Sequence, residues 1–263
     1  LRHYLPKNKK MAKNNKTAIV TGGNRNIGKE TALALASKSI DIIITYNERV
    51  EQAELAVKEL QAKGVKAKAI QINLSEASNI GTFIESVKDT LKEWDKKGID
   101  ILINNAGTLR LGTFDKITEQ DLDLIYNTNY KSIFFLVQHL LPLLIDGGRI
   151  VNLGSGTAKI AFAPLVAYGP IKAAVQSLTI YLASFLGSRK ITVNAVAPGG
   201  LDDDFNAPLF KAIPQAKDFI TSSTAIGRIG HPNDIGNTIA FLCSDEAAFI
   251  SGAVIPIDGG YHL

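Results

Sequence analysis

The sequence predicts an α/β fold: one doubly wound parallel sheet of about seven strands with helices on both faces. Seven short apolar runs recur along the chain, at 17–21, 41–46, 66–72, 99–103, 149–153, 191–195 and 253–257. Longer segments of helical periodicity lie near 27–37, 49–63, 76–94, 119–141, 166–187 and 233–244. Runs such as Ile42-Ile43-Ile44 and Ile101-Leu102-Ile103 are continuously apolar, which suits strands covered on both faces. Alternating strands and helices call for right-handed crossovers, and ligands of such sheets bind beyond the carboxyl ends of the strands.

Composition supports one full-sized core. The 263 residues are 46% hydrophobic and 21% charged, a globular balance. A single domain over 16–263 is expected, with 1–15 as a tail. That tail is read as untidy extra chain or as a phosphate-contacting arm, and Met11, the one methionine, is a candidate start. The net charge of +4 is concentrated there: six basic residues and no acids fall in 1–16, leaving 23 basic against 25 acidic residues beyond. A nucleic-acid partner is therefore not expected. No apolar run approaches the roughly 20 residues that span a bilayer, so no membrane partner is expected either. One cysteine, Cys243, excludes an internal disulfide and fits a reducing, cytoplasmic setting. It reads as a small core residue, with a reactive thiol as the alternative. The four histidines are scattered and no metal-ligand spacing occurs, so no metal is expected.

The first strand runs into Gly22-Gly23-Asn24-Arg25-Asn26-Ile27-Gly28 and then a helix. Glycines allow a sharp turn, and a helix N-terminus offers free N–H groups to a phosphate. Gly23 to Lys29 nearly spells a nucleoside-triphosphate P-loop, but Glu30 stands where that loop needs Ser or Thr for Mg²⁺. A dinucleotide is the preferred ligand. The second strand ends in Thr45-Tyr46-Asn47, the third meets Asn73-Leu74, and the fourth ends in Asn104-Asn105-Ala106-Gly107. Thr118 to Asp121 reads as a capping box opening the helix at 119–141, which Pro142 limits and which carries Asn129, suited to hold a water or a backbone group. The fifth strand ends in Gly154-Ser155, placing a hydroxyl where a substrate oxygen would develop charge. Tyr168 and Lys172 lie four apart, on one helical face. An adjacent ammonium should lower the phenol pKa and let it exchange a proton with an alkoxide. Pro170 is tolerable if the helix begins just before it.

In order and spacing these motifs resemble those of the short-chain dehydrogenase/reductase family, over about residues 16–261. The glycine turn, Asn104 to Gly107, Ser155 thirteen residues before Tyr168, the Tyr168–Lys172 pair, Pro198-Gly199 after the sixth strand and Asp258-Gly259-Gly260 all match. The nearest flavour is the 3-oxoacyl-[acyl-carrier-protein] reductase branch. The resemblance implies a Rossmann-type domain and an oxidoreductase acting on CH–OH groups, reducing a carbonyl by hydride transfer. It implies Tyr168 as general acid/base, Lys172 on the nicotinamide ribose, Ser155 on the substrate carbonyl and Asn129 holding a relay water. Cofactor contacts are expected from Gly22, Asn24, Arg25, Asn26, Ile27 and Gly28 in the turn, and from Tyr46, Asn47, Asn73 and Leu74 beyond the second and third strands. Further contacts are expected from Asn105, Ala106, Gly107, Tyr168, Lys172, Pro198, Gly199 and Leu201.

Three departures stand out. Asn26 replaces a glycine but tolerates left-handed backbone. Asn73 replaces an aspartate that contacts adenine. Asp202-Asp203-Asp204 is either a solvated charge run on a lid or an acidic selector of substrates. The second strand ends without the acid that grips a ribose 2′-hydroxyl: Asp41 stands at its start, on the wrong edge, and Glu48 comes one or two residues late, whereas Arg25 and Arg49 suit a 2′-phosphate. NADP(H) is expected over NAD(H). A lid is expected near 201–230, with Ala207, Leu209, Phe210 and Ile213 lining it. Carrier-protein reductases often carry arginine where Phe135 stands, although Arg189 matches a second basic position. The small-molecule substrate is thus an acyl-carrier thioester, or a small ketone or polyol. A non-catalytic dinucleotide sensor and a P-loop phosphotransferase are the rivals. A homotetramer or homodimer is implied, through the helices at 119–141 and 166–187.

Overall fold

A computed structural model describes residues 16–263. The tail at 1–15, with Met11 and the basic arm, lies outside them. Seven strands form one sheet: β1 (Thr17–Val20), β2 (Asp41–Tyr46), β3 (Ala67–Gln71), β4 (Ile99–Asn104), β5 (Leu144–Leu153), β6 (Thr192–Pro198) and β7 (Val254–Ile257). All neighbours pair in parallel in the order β3-β2-β1-β4-β5-β6-β7. The chain winds outward from β1 in one direction and restarts at β4 in the other. Loops following β1 and β4 therefore diverge and leave a crevice at the carboxyl edge.

Period-two alternation sends successive side chains to opposite faces. Ile42 and Ile44, with Ile101 and Ile103, join the core formed with α1 (Asn26–Ala36), α2 (Val50–Gln61) and α9 (Pro232–Leu242). Ile43 and Leu102 join the opposite core, formed with α3 (Asn79–Glu93), α5 (Ser132–Leu140) and α6 (Tyr168–Leu186). Each of these six strand residues is fully buried, which explains the uninterrupted apolar runs. Among the described residues no helix is long and apolar enough to cross a membrane.

Two elements differ from the sequence reading. The helix expected at 119–141 is α4 (Glu119–Tyr126), a π-helical turn (Asn127–Lys131) and α5. The expected capping box is present on Thr118 and Asp121, but a 3.6-residue apolar period does not reveal one inserted residue downstream. Strand β5 begins at Leu144 rather than 149, because Leu144 pairs with Ile99 before a register shift across the Asp146-Gly147-Gly148 stretch. Those polar and glycine positions hide the strand from an apolar pattern. The lid region contains two short helices, α7 (Ala207–Ala212) and α8 (Ala216–Ser222).

Candidate active site

The turn after β1 is held from both neighbouring strands. The Gly22 N–H donates to Thr45 Oγ1 at 3.1 Å and the Gly23 N–H to the Thr45 carbonyl at 3.0 Å. Asn105 Nδ2 donates to the carbonyls of Thr21 at 2.8 Å and Gly22 at 3.1 Å, while Thr21 Oγ1 accepts from the N–H groups of Asn105 and Ala106 at 2.9 Å. Asn105 thus serves by clamping the turn. Asn26 adopts the left-handed backbone expected of it, at φ 47. A Cβ on Gly28 would drive into the Gly22 carbonyl oxygen, so no larger residue fits that close approach. Arg25 caps α1 with extended backbone and no side-chain cap bond. The first-turn N–H groups, which lack intrahelical acceptors, are left for a ligand.

The turn forms one end of a cavity of about 800 Å³. All the expected contacts of the turn line it: Gly22, Asn24, Arg25, Asn26, Ile27 and Gly28. Tyr46, Asn47, Asn73, Leu74, Asn105, Ala106, Gly107, Pro198, Gly199 and Leu201 line it too, as do Ser155, Tyr168 and Lys172. These residues fit a dinucleotide: a glycine cradle that a Cβ would fill, an uncapped helix N-terminus beside it, and cations at the tip of β2.

At the other end, Ser155 has extended backbone and its Oγ lies 2.8 Å from Thr157 Oγ1. Tyr168 opens α6, so Pro170 falls in the first turn, where its missing N–H costs nothing. Lys172 Nζ sits 5.5 Å from the centroid of the Tyr168 ring and donates to the Leu153 carbonyl at 2.7 Å. Burial pushes the Lys172 ammonium down to about 8. Burial also pushes the Tyr168 phenol well above its ordinary value, and the Asp203 carboxylate adds to the rise. The expected lowering of the phenol by Lys172 is therefore not what this environment produces. Both groups are buried, so desolvation outweighs their mutual effect.

Asn129 is wholly buried, in the π-helical turn behind the cavity wall rather than on it. Its Nδ2 donates to the carbonyls of Thr108 at 2.8 Å and Ile125 at 2.9 Å, and its Oδ1 accepts from the Thr108 N–H at 3.3 Å. Of the two roles expected for it, the structure shows the grip on backbone. Asn73 also differs from expectation. Its Oδ1 accepts from the N–H and Oγ of Ser75 and its Nδ2 donates to Glu76 Oε1, so the amide is committed to its own turn.

The three lid aspartates have three different partners. Asp202 pairs with Lys217 at 2.7 Å. Asp203, half-buried, accepts from the N–H of Asn206 at 3.0 Å and its Nδ2 at 2.9 Å, and burial raises its carboxyl above the usual range. Asp204 reaches Arg25 and Arg49. Of the residues expected to line the lid, only Leu209 faces the cavity; Ala207, Phe210 and Ile213 do not. Sequence reasoning missed Thr45, Phe162, Phe205, Phe219, Tyr261 and His262. Tyr261 and His262 follow β7, so applying the carboxyl-edge rule to the seventh strand would have found them. Phe205 gave no local signal; its ring lies 6.1 Å from that of Tyr168 only because the lid folds back. Among the described residues no three His, Cys, Asp or Glu side chains gather to hold a metal.

Comparison with known proteins agrees with this geometry. A family profile described as enoyl-(acyl carrier protein) reductase matches residues 22–262. The chain is 36% identical over 250 residues to the 3-oxoacyl-[acyl-carrier-protein] reductase FabG of Staphylococcus aureus, covering 94% of this chain and 98% of that protein. It is 34% identical to a hydroxynaphthalene reductase-like protein Arp2 of Metarhizium brunneum, covering 93% and 94%. The crystal structure of the angucycline C-6 ketoreductase LanV with bound NADP superposes with a TM-score of 0.89 at 33% identity, over 94% and 95% of the two chains. A short-chain dehydrogenase from Burkholderia cenocepacia in complex with NADP gives 0.87 at 36% identity, over 95% and 98%. With its seven-stranded parallel sheet, its glycine turn at the switch point and Ser155, Tyr168 and Lys172 on one cavity wall, the chain belongs to the short-chain dehydrogenase/reductase family of oxidoreductases.

Proposed function

We propose that this protein is an NADPH-dependent reductase of a largely apolar ketone. The observation that carries the reading is the sharing of one cavity by the glycine turn and by Ser155, Tyr168 and Lys172. The turn, the α1 N-terminus, Tyr46, Asn47, Leu74 and the wall from Asn105 to Gly107 would hold the dinucleotide, with Pro198, Gly199 and Leu201 over it. When bound, the reduced nicotinamide supplies the hydride. Ser155 hydrogen-bonds the substrate carbonyl oxygen and orients it. Tyr168 delivers its phenolic proton to that oxygen as charge develops. Its raised pKa keeps the proton in place at neutral pH, the state a reductase needs. Lys172, cationic below about pH 8, would hold the ribose hydroxyls and repay charge on the tyrosine after transfer. Asn129 keeps the helix open behind them, with a relay water as its further role.

β2 itself ends at Tyr46 without an acid, and although Glu48 follows on the cavity wall, Arg25 and Arg49 on that wall support NADPH over NADH. Both structural relatives named above hold NADP. An apolar substrate is supported by Leu109, Phe162, Leu165, Phe205, Leu209 and Phe219 on the wall. An acyl-carrier substrate is supported by the 3-oxoacyl-[acyl-carrier-protein] reductase relatives; against it, Arg189 is engaged with Asp146 and the carbonyls of Leu141 and Leu144, and Phe135 stands at the other docking position. A cytoplasmic homo-oligomer fits the buried Cys243 and the exposed apolar residues of α5 and α6.

The test is a panel of ketones and a 3-oxoacyl thioester, followed by cofactor depletion. NADPH should give the higher kcat/KM; a ratio to NADH below one rejects the NADPH assignment. Tyr168→Phe should lose about 10²–10⁴-fold in turnover while nicotinamide binding, read by fluorescence, persists. Undiminished turnover in that variant would remove the proton donor from the mechanism.

A further inference from the structure

We infer that Asp204 tunes the choice between the two nicotinamide cofactors, because its carboxylate occupies the anion position that a 2′-phosphate would take. The inference rests on the NADPH reading above and adds to it a residue that opposes NADPH. Asp204 Oδ2 lies 3.8 Å from Arg25 Nη1 and 3.5 Å from Arg49 Nη1. The two arginines come from different loops, one capping α1 and the other capping α2, and only the fold brings them to one oxygen. Arg49 holds a left-handed backbone at φ 59, which is uncommon for a residue other than Gly, Asn or Asp. Burial lowers the Arg25 guanidinium most and Arg49 lowers it further, while Asp204 and then Asp203 act the other way. Two like charges drawn to one point define an anion site.

The neighbouring aspartates do not share this role. Asp202 is bound to Lys217 and Asp203 to Asn206. Asp203 lines the cavity and also acts on Arg25 through its charge, but of the three only Asp204 comes within ion-pair distance of both arginines.

A phosphate monoester is the stronger occupant. It carries close to two negative charges at neutral pH and can be gripped by both guanidinium forks. Asp204 carries one, and its two contacts are longer than charge-assisted hydrogen bonds. NADPH must therefore displace Asp204, whereas NADH leaves the two ion pairs standing as a tie between lid and cradle. The carboxylate taxes one cofactor and spares the other. Because Asp204 is 61% exposed, the tax is small and falls with salt.

The test is a fluorescence titration of NADPH and NADH against the wild type, Asp204→Asn and Arg25→Ala, at low and high salt. Asp204→Asn should tighten NADPH roughly three- to tenfold at low salt. NADH should change by less than about twofold, and the NADPH gain should shrink as salt approaches about 1 M. Arg25→Ala should weaken NADPH more than NADH. If Arg25→Ala weakens NADPH but Asp204→Asn leaves it unchanged, weakens it, or tightens both cofactors alike, this inference is overturned and the NADPH reading stands. If Arg25→Ala leaves the two affinities in their original ratio and NADH is the better ligand, the 2′-phosphate subsite is absent and both readings fall.

Discussion

A phenol and an ammonium buried side by side make a proton donor whose two members titrate in opposite senses. Burial disfavours each charged form, raising Tyr168 and lowering Lys172 to about 8. Below about 8 the ammonium is present and the phenol protonated, so carbonyl reduction has both groups in their working states. As pH rises through that value Lys172 loses its charge first. The expected profile of kcat/KM for reduction is a plateau at neutral pH followed by a fall with a midpoint near 8. Measurement from pH 6 to 10 checks it, and a fall that persists unshifted in Lys172→Arg would assign the titration to another group. Cys243 shows the same physics. Burial pushes its thiol up to about 12 among the side chains of α1 and α9, so it behaves as the small core residue of the two readings offered for it.

Within the elements, the π-helical turn matters most for the site. One extra residue between α4 and α5 leaves the Ile125 carbonyl to Asn129 Nδ2, and Asn129 then bridges to Thr108 on the loop after β4. Such turns are favoured at functional positions because they re-aim side chains at a local cost. Asn129→Ala removes the partner of the buried Ile125 carbonyl and of the part-buried carbonyl and N–H of Thr108, costing about 1–3 kcal/mol. A urea titration should show that loss with an unchanged slope, and kcat should fall with the loop's position. Wild-type stability would mean that the bridge is not what holds the turn. The crossing of α1 and α9 is equally tight: a Cβ on Gly236 would lie 2.8 Å from the Thr31 nitrogen, so the helices meet backbone to backbone.

For the whole molecule, three clusters hold the buried apolar residues; large hydrophobes stay exposed on several elements, and four of them lie on the outer faces of α5 and α6. There Phe134, Ile180, Tyr181 and Phe185 remain exposed, and scattered surface hydrophobes seldom concentrate in this way without a partner. The proposed homo-oligomer predicts a light-scattering mass of two or four times 28.3 kDa. Tyr181→Asp with Phe185→Asp should shift it toward 28.3 kDa without loss of the fold; a wild type already at that mass would rule the assembly out.

The layout of the molecule was legible in the residues themselves. Strand order of appearance, double burial of the Ile-rich runs, the glycine turn and the Tyr168–Lys172 spacing are set by contacts a few residues long, and local periodicity reports such contacts directly. Which polar groups remain free to act was not legible. Asn73 and Asn129 are used up by their surroundings, Arg189 is absorbed by β5, and Asp204 finds two arginines more than 150 positions away. Hydrogen bonds and desolvation depend on neighbours brought together only when the sheet closes. The chain thus encodes where chemistry can occur, and folding selects which side chains are left to perform it.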